Sequence, residues 1–273
     1  PRMVEVWPRE GGLGIGMGSP SSCNWYSGGF IDLLINGVSP GTRKATVQVL
    51  DWARARSVVF SWDTPDAQVS LAFTGTEGGE RLFVHGQIEP RRPVFSLQLV
   101  LTCYPGSFAE PRERTVYTHT RQIDAGRAAT LARDENWLLC CDRHFDEALL
   151  PEQSSGPAAV MFSPLQVRKA SVNVAEYPVN ITLDLQQRLR SFDFALWDWR
   201  DVTNADALAR MKALVPDAAA PGAVALIPNP PPLALAVEGK AAATIVVPAQ
   251  ASAQELAAAE EIQQAVVDMA QAL

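Results

Sequence analysis

The sequence predicts a mainly β fold: a large antiparallel β-sandwich followed by a short helix, a Pro/Ala-rich linker and a truncated α/β unit. Three observations carry this. The stretch VFSLQLVLTC (94–103) alternates, with Phe95, Leu97, Leu99, Leu101 and Cys103 on one side and Ser96, Gln98 and Thr102 on the other, the period of a half-buried strand. From Val4 to about Trp199, short runs of this kind follow one another without a helical pattern between them. Beyond Trp199 the period changes and Pro and Ala dominate.

The run GGLGIGMGSPSS (11–22) comes first. Its glycines fall at 12, 14, 16 and 18 after an initial Gly11, so neither G-x-G-x-x-G nor G-x-x-x-x-G-K-[ST] is met, and Pro20 opens no helix. Alternating glycines suit an extended, closely packed segment or an edge against a neighbouring sheet. Strands follow at FIDLLING (30–37), KATVQVLDW (44–52), SVVFSW (57–62), VSLAFTG (69–75), RLFVHGQI (81–88) and 94–103. RTVYTHTRQI (114–123), NWLLCCD (136–142), AAVMFS (158–163), RKASVNV (168–174), VNITLDL (179–185) and SFDFALWDW (191–199) continue the pattern. Turn chemistry separates them at Asn36-Gly37, Pro40-Gly41, Pro65-Asp66, Gly78-Gly79, Pro105-Gly106 and Gly156-Pro157.

NADALARMKALV (204–215) then places Ala207, Leu208, Met211 and Leu214 on one side of a short helix, with Thr203 or Asn204 as its cap. PDAAAPGAVALIPNPPPLALAVEGK reads as a linker, AAATIVVPAQ (241–250) as a buried strand, and the remainder as a helix with Ser252 and Glu255 forming a capping box. The expected boundaries are a sandwich at 1–202, helix and linker at 203–238, and the start of an α/β domain at 239–273. A lone strand and an amphipathic helix cannot bury their apolar faces unaided, so this last unit reads as cut just inside a second domain.

Composition narrows the classes. The 273 residues are 47% hydrophobic and 19% charged, as in a folded globular protein, and the net charge of −7 without a dense Lys/Arg cluster disfavours nucleic-acid binding. No apolar run reaches the roughly 18 residues of a membrane span, and PRMVEVWP shows no signal-peptide pattern. Cys23, Cys103, Cys140 and Cys141 lack the C-x-x-C spacing of a zinc site.

Four groups of residues carry candidate chemistry. On an extended strand, Tyr117, His119 and Arg121 share a face; such a set can abstract a proton beside a carboxylate whose charge the arginine neutralises. A mixed polar sheet face is the weightier reading. If the strand through CCDRHFDE (140–147) continues, Asp142, His144 and Asp146 align as candidate ligands of a divalent metal, against the plainer reading of a solvated polar face. No other cofactor is expected. In SFDFALWDWRD, Phe192, Phe194 and Leu196 form a core face while Asp193, Trp197 and Trp199 share the other. Two tryptophans at i and i+2, about 7 Å apart, match consecutive sugar rings, but packing against the following helix, which needs an apolar bed, is the weightier reading. Trp25 and Tyr26, beside two glycines, are a second aromatic pair suited to glycan binding.

The segment KAAATIVVPAQASAQELAAAEEIQQAVVDMAQAL (240–273), a strand ending IVVP followed by a capped helix carrying AAEE, resembles the non-catalytic N-terminal α/β domain of α-glucuronidases and of family 20 β-hexosaminidases. The upstream region, with GGFIDLLING, CYPG and FALWDW, is similar in style to the sandwiches of carbohydrate-active enzymes. The resemblance implies a non-catalytic accessory region, glycan-contacting or structural, of a larger secreted bacterial protein that degrades polysaccharide. It also implies an extracellular or periplasmic setting, and carbohydrate or further domains of the same protein as partners. Two alternatives stand beside it: a lyase- or mutarotase-like sandwich enzyme using the Tyr117 or Asp142 face, and a purely structural interaction module.

Overall fold

The computed structural model describes residues 5–8, 15–18, 25, 30–37, 45–106, 111–144, 156–199, 202–214, 236–237, 240–241, 259–260 and 263–264. It divides into two units, Pro1–Leu226 and Ile227–Leu273. In the first unit, β1 (Glu5–Pro8), β2 (Ile15–Gly18), β3 (Ile31–Ile35), β8 (Leu97–Cys103), β15 (Val179–Leu185), β14 (Val167–Val174) and β11 (Arg127–Thr130) form a seven-stranded sheet in the order β1-β2-β3-β8-β15-β14-β11. The facing sheet has nine strands in the order β10-β9-β12-β13-β16-β7-β6-β5-β4. Its members are β10 (Gln122–Asp124), β9 (Arg114–Tyr117), β12 (Trp137–Asp142), β13 (Ala158–Phe162), β16 (Ser191–Asp198), β7 (Arg81–Pro90), β6 (Ala67–Thr76), β5 (Ala55–Asp63) and β4 (Thr46–Trp52). Every pairing between these strands is antiparallel, so the expected sandwich is the fold observed.

Period-2 alternation does the sorting. Leu97, Leu99, Leu101 and Cys103 meet Phe60, Leu71, Phe73, Phe192 and Phe194 in the inter-sheet core, while Gln98 and Thr102 turn outward to bond Asp184 and Asn180 on the neighbouring strand. Phe95 departs from this pattern. The strand starts only at Leu97, and Phe95 is 71% exposed. Its N–H donates to Asn36 Oδ1 (2.6 Å) and its carbonyl accepts from Gln187, so side-chain amides fix this backbone and the pleat does not. Asn36 (φ 55°) and Gly37 (φ 78°) form the left-handed corner that the Asn-Gly dipeptide predicts.

WLLCCD and AAVMF are buried at every position, as continuous apolar strands covered on both faces should be. One face joins the inter-sheet core. The other carries a second cluster of Trp137, Leu139, Cys141, Met161, Trp197 and Trp199, capped by helix α1 (Asn204–Ala213) through Ala207 and Met211. Thr203 caps α1 by accepting from the Asp206 N–H, Asp206 lies in its first turn, and Arg210 and Lys212 lie in its last, as the helix dipole favours.

The glycine-rich run proves extended where it is described: β2 pairs with β1 and reaches β3 through Ile15 opposite Ile31. In the second unit, β17 (Ala236–Val237) pairs with β18 (Lys240–Ala241), and residues 259–260 and 263–264 are helical. Most of the linker, most of 241–250, and Ser252 and Glu255 lie outside the described residues. No helix among the described residues is long and apolar enough to cross a membrane.

Candidate functional site

The two tryptophans of β16 and its exit stack on one another, ring centroids 6.1 Å apart at 29°, as alternation places them. They are nonetheless 4% and 5% exposed, because α1 lies over them. Trp199 Nε1 donates to Glu80 Oε2 (3.3 Å), Arg210 Nη1 binds both Glu80 oxygens (2.8 and 2.9 Å), and the Arg81 guanidinium sits 5.7 Å above the Trp197 ring. A sugar ring has no open indole face here. Trp197 and Trp199 are the bed that the helix needs.

Trp25 is likewise wholly buried. It bridges to Cys103 of the seven-stranded sheet, and its indole N–H donates to the Trp197 carbonyl (3.1 Å) of the nine-stranded one. It ties the two sheets and presents no exposed platform. Tyr26 lies outside the described residues.

The set Tyr117, His119 and Arg121 does not share one strand. The stretch 114–123 breaks into β9 and β10, joined across 118–121, with Gln122 opposite Tyr117. The cause is Thr118: its Oγ1 accepts from the Thr120 and Arg121 N–H groups, and its own N–H donates to the Arg121 carbonyl. Tyr117 packs on the outer cluster, and the exposed His119 meets the Trp137 ring edge-on at 6.3 Å. Arg121 turns instead to Glu135, with Nε and Nη2 at 3.0 and 2.8 Å, and Nη2 also donates to the Thr130 carbonyl (2.7 Å).

Glu135 is the centre of this corner. Its side chain is 1% exposed and accepts from Arg121, Thr118 Oγ1, Thr120 Oγ1 and the Ala132 N–H. Burial pushes its carboxyl up, but the hydrogen bonds from Arg121, Thr118, Ala132 and Thr120 together outweigh that and hold it at about 2. It stays an anion that staples a hairpin, without the raised affinity for a proton that a general acid needs.

The strand bearing Asp142 ends at that residue, so the alternation expected through His144 and Asp146 is lost. Asp142 points inward to Arg114 on the paired strand β9, Oδ2 to Nη1 2.9 Å, with both side chains fully buried. The Glu113 and His144 N–H groups satisfy the rest of the carboxylate, and Arg114 Nε reaches the Tyr177 carbonyl. Asp146 lies outside the described residues. Among the described residues no three His, Cys, Asp or Glu side chains gather as metal ligands. Cys103, Cys140 and Cys141 are buried and outside any disulfide; burial, then the neighbouring Cys140, pushes the Cys103 thiol up and keeps it protonated.

Sequence reasoning missed the partners of these groups, and with them a third pair. His85 Nδ1 lies 2.7 Å from Asp193 Oδ1, and the two residues are register partners on β7 and β16. The hydrogen bond to Asp193 raises the His85 affinity for a proton, burial opposes it, and the aspartate charge adds to the rise. RLFVHGQI and SFDFALWDW place each residue on a sheet face, but only the pairing of strands 108 residues apart joins them. The polar groups thus fall into three separate structural roles: the Glu135 staple, the Arg114–Asp142 pair and the His85–Asp193 pair.

The sequence matches no protein-family model and no curated protein. Similar solved structures include those of carbohydrate-active enzymes. An α-N-acetylgalactosaminidase of Bifidobacterium bifidum, solved as a quadruple mutant, aligns with a TM-score of 0.56 at 8% identity, over 80% of this chain and 39% of that one. A galactose mutarotase-related enzyme of Lactobacillus acidophilus gives 0.43 at 9% identity, over 75% of this chain and 97% of that one. A GH36 α-galactosidase of Geobacillus stearothermophilus gives 0.38 at 9% identity, over 63% and 30%. The first of these likenesses establishes a shared sandwich fold.

Proposed function

We propose that this chain is a non-catalytic accessory region of a larger carbohydrate-active protein, a sandwich that supports the catalytic part or contacts glycan beside it. The observation that carries this reading is the extent of the α-N-acetylgalactosaminidase likeness: four fifths of this chain aligns with well under half of that glycosidase. The side-chain pairing supports it. Arg114 pairs with Asp142, Arg121 with Glu135 and the half-exposed His85 with Asp193 at separate places in the fold, and the aromatic candidates that are described fill packed layers. An enzyme would need convergent polar groups in a pocket with a perturbed proton affinity suited to its task. The setting this reading implies is extracellular or periplasmic, with carbohydrate or further domains of the same protein as partners.

The test is an activity and binding panel on the chain: nitrophenyl glycosides, uronate polysaccharides followed by the absorbance of an unsaturated product, polarimetry for mutarotation, and a glycan array. The expected result is no turnover. Array binding would favour the glycan-contacting form of the reading and its absence the supporting form. Turnover abolished by His119→Ala or Tyr117→Phe would overturn the proposal.

A further inference from the structure

The four described edges of the two large sheets are unequal. At three of them the edge strand is very short: β10 has three residues, β11 four, and β1 four ending in Pro8. Short strands and prolines are how sheet proteins keep edges from pairing with other chains. The fourth edge, β4, has seven residues and reads TVQVLDW, with neither proline nor lysine.

The register shows what β4 presents. The turn Ala53-Arg54 makes Trp52 and Ala55 the closing hydrogen-bonded pair, so Leu50, Gln48 and Thr46 also bond β5, opposite Ser57, Val59 and Ser61. The Glu77 N–H donating to the Arg54 carbonyl (2.9 Å) confirms that the even-numbered residues of β5 serve β6. Val47, Val49 and Asp51 therefore turn their N–H and C=O groups away from β5, to a side where no described strand pairs with them. The same valines are the apolar ones. Opposite Phe60 and Val58 they lie on the core-side face, yet they are 49% and 54% exposed. Backbone without a partner among the described residues and half-exposed valines coincide.

We propose that this edge docks a second copy of the same chain, β4 against β4 in antiparallel two-fold pairing with Gln48 at the axis. Self-complementarity selects this occupant. In that register Val47 bonds Val49 of the second copy and Val49 bonds its Val47, so four half-exposed valines cover one another on one face. Gln48 meets its own copy on the other, and Asp51 falls opposite Ala45, so no like charges meet. An isologous contact requires a strand that complements itself in this way. Seven residues a side lie below the roughly 1,200 Å² of stable complexes, so the dimer is weak, with a dissociation constant on the order of 100 μM.

The test joins sedimentation with site-directed cross-linking. A non-hydrogen-bonded antiparallel pair has Cα atoms about 4.5 Å apart, within disulfide range, so Gln48→Cys should cross-link to itself under oxidised glutathione. Thr46→Cys, offset by about 13 Å from its copy, should not, and nor should the unmodified chain. Val49→Lys should weaken association roughly tenfold or more while lowering the melting temperature only slightly, since the residue is 54% exposed and gives up only its cross-strand contact with Val58. Amide exchange should be fast at Val47 and Val49 in dilute protein and slow in concentrated protein. A chain monomeric to about 1 mM, or equal cross-linking at 46 and 48, overturns the proposal. So does slow exchange at these amides at every dilution, which would mean that the chain covers its own edge. The activity panel is independent of all these readouts.

Discussion

Gly86 occupies the one position on β7 where a side chain would collide with the core. A Cβ built there lies 2.1, 2.4 and 2.6 Å from three atoms of the Phe192 ring, its register partner on β16. The ring is in effect the side chain of two positions, lying flat across the glycine, and Phe192 is itself buried and stacked on Phe194 at 6.3 Å. Gly86→Ala must therefore displace a ring that has nowhere to go. Overpacking of this kind costs about 2–3 kcal/mol, and in a unit of this size that lowers the melting temperature by about 4–12 °C. Phe192→Leu alone should cost about 1–3 kcal/mol through the space it opens. The informative variant carries both changes, because the smaller leucine makes room for the new methyl group. Urea denaturation of the four proteins should give a double variant more stable than the sum of the singles by at least about 1 kcal/mol. Strict additivity, or a Gly86→Ala protein as stable as its parent, would refute the claim that the ring occupies the glycine's missing side chain.

Four further outcomes follow from the charged and aromatic pairs. Glu135 titrates at about 2 when folded against 4.5 ordinarily, so its contribution, about 3 kcal/mol, is complete above about pH 4.5 and lost as pH falls towards 2; the stability gap to Glu135→Gln should close over that window in acid denaturation. Arg114→Met or Asp142→Leu alone should cost about 3–5 kcal/mol by stranding a buried charge, while the double variant should recover most of the loss in urea titrations. Trp197→Ala should cost about 3–5 kcal/mol and loosen α1, seen as faster amide exchange at Ala207 and Met211. The raised His85 affinity for a proton means that its pair stabilises the fold below the ordinary imidazole range and ceases to as pH rises through the folded value; NMR titration should show this rise abolished in Asp193→Asn.

Much of the fold was legible because alternation is a local signal. VNITLDL and VFSLQLVLTC declare their buried faces, and the double burial of WLLCCD is written in its lack of polar positions before Asp142. The candidate site was less so. Alternation put Trp197 and Trp199 together and the adjacent helix made packing the weightier reading, but the contacts themselves depend on where Thr203 starts the helix and which way Met211 faces. The hairpin at 118–121 was hidden because RTVYTHTRQI has strand composition throughout; a threonine hydroxyl gathering two N–H groups makes the turn, and a glutamate fourteen residues from Arg121 holds it. Arg114 with Asp142, and His85 with Asp193, depend on strand pairing, which no single stretch encodes.

The topology also sets an order of assembly. Strands β4 to β7 form a meander of consecutive hairpins whose partners lie a few residues away, so this part can form early and quickly. The opposite sheet cannot. Leu99 must wait for Leu183, 84 positions later on the chain, before the layer that covers Phe60, Leu71 and Phe73 can close. During synthesis at about 5–20 residues per second, the finished meander therefore holds a bare aromatic face for several seconds, until β15 leaves the ribosome. That interval is when a holding chaperone would have its best purchase on this protein, and when slowed translation between β8 and β15 would most favour aggregation.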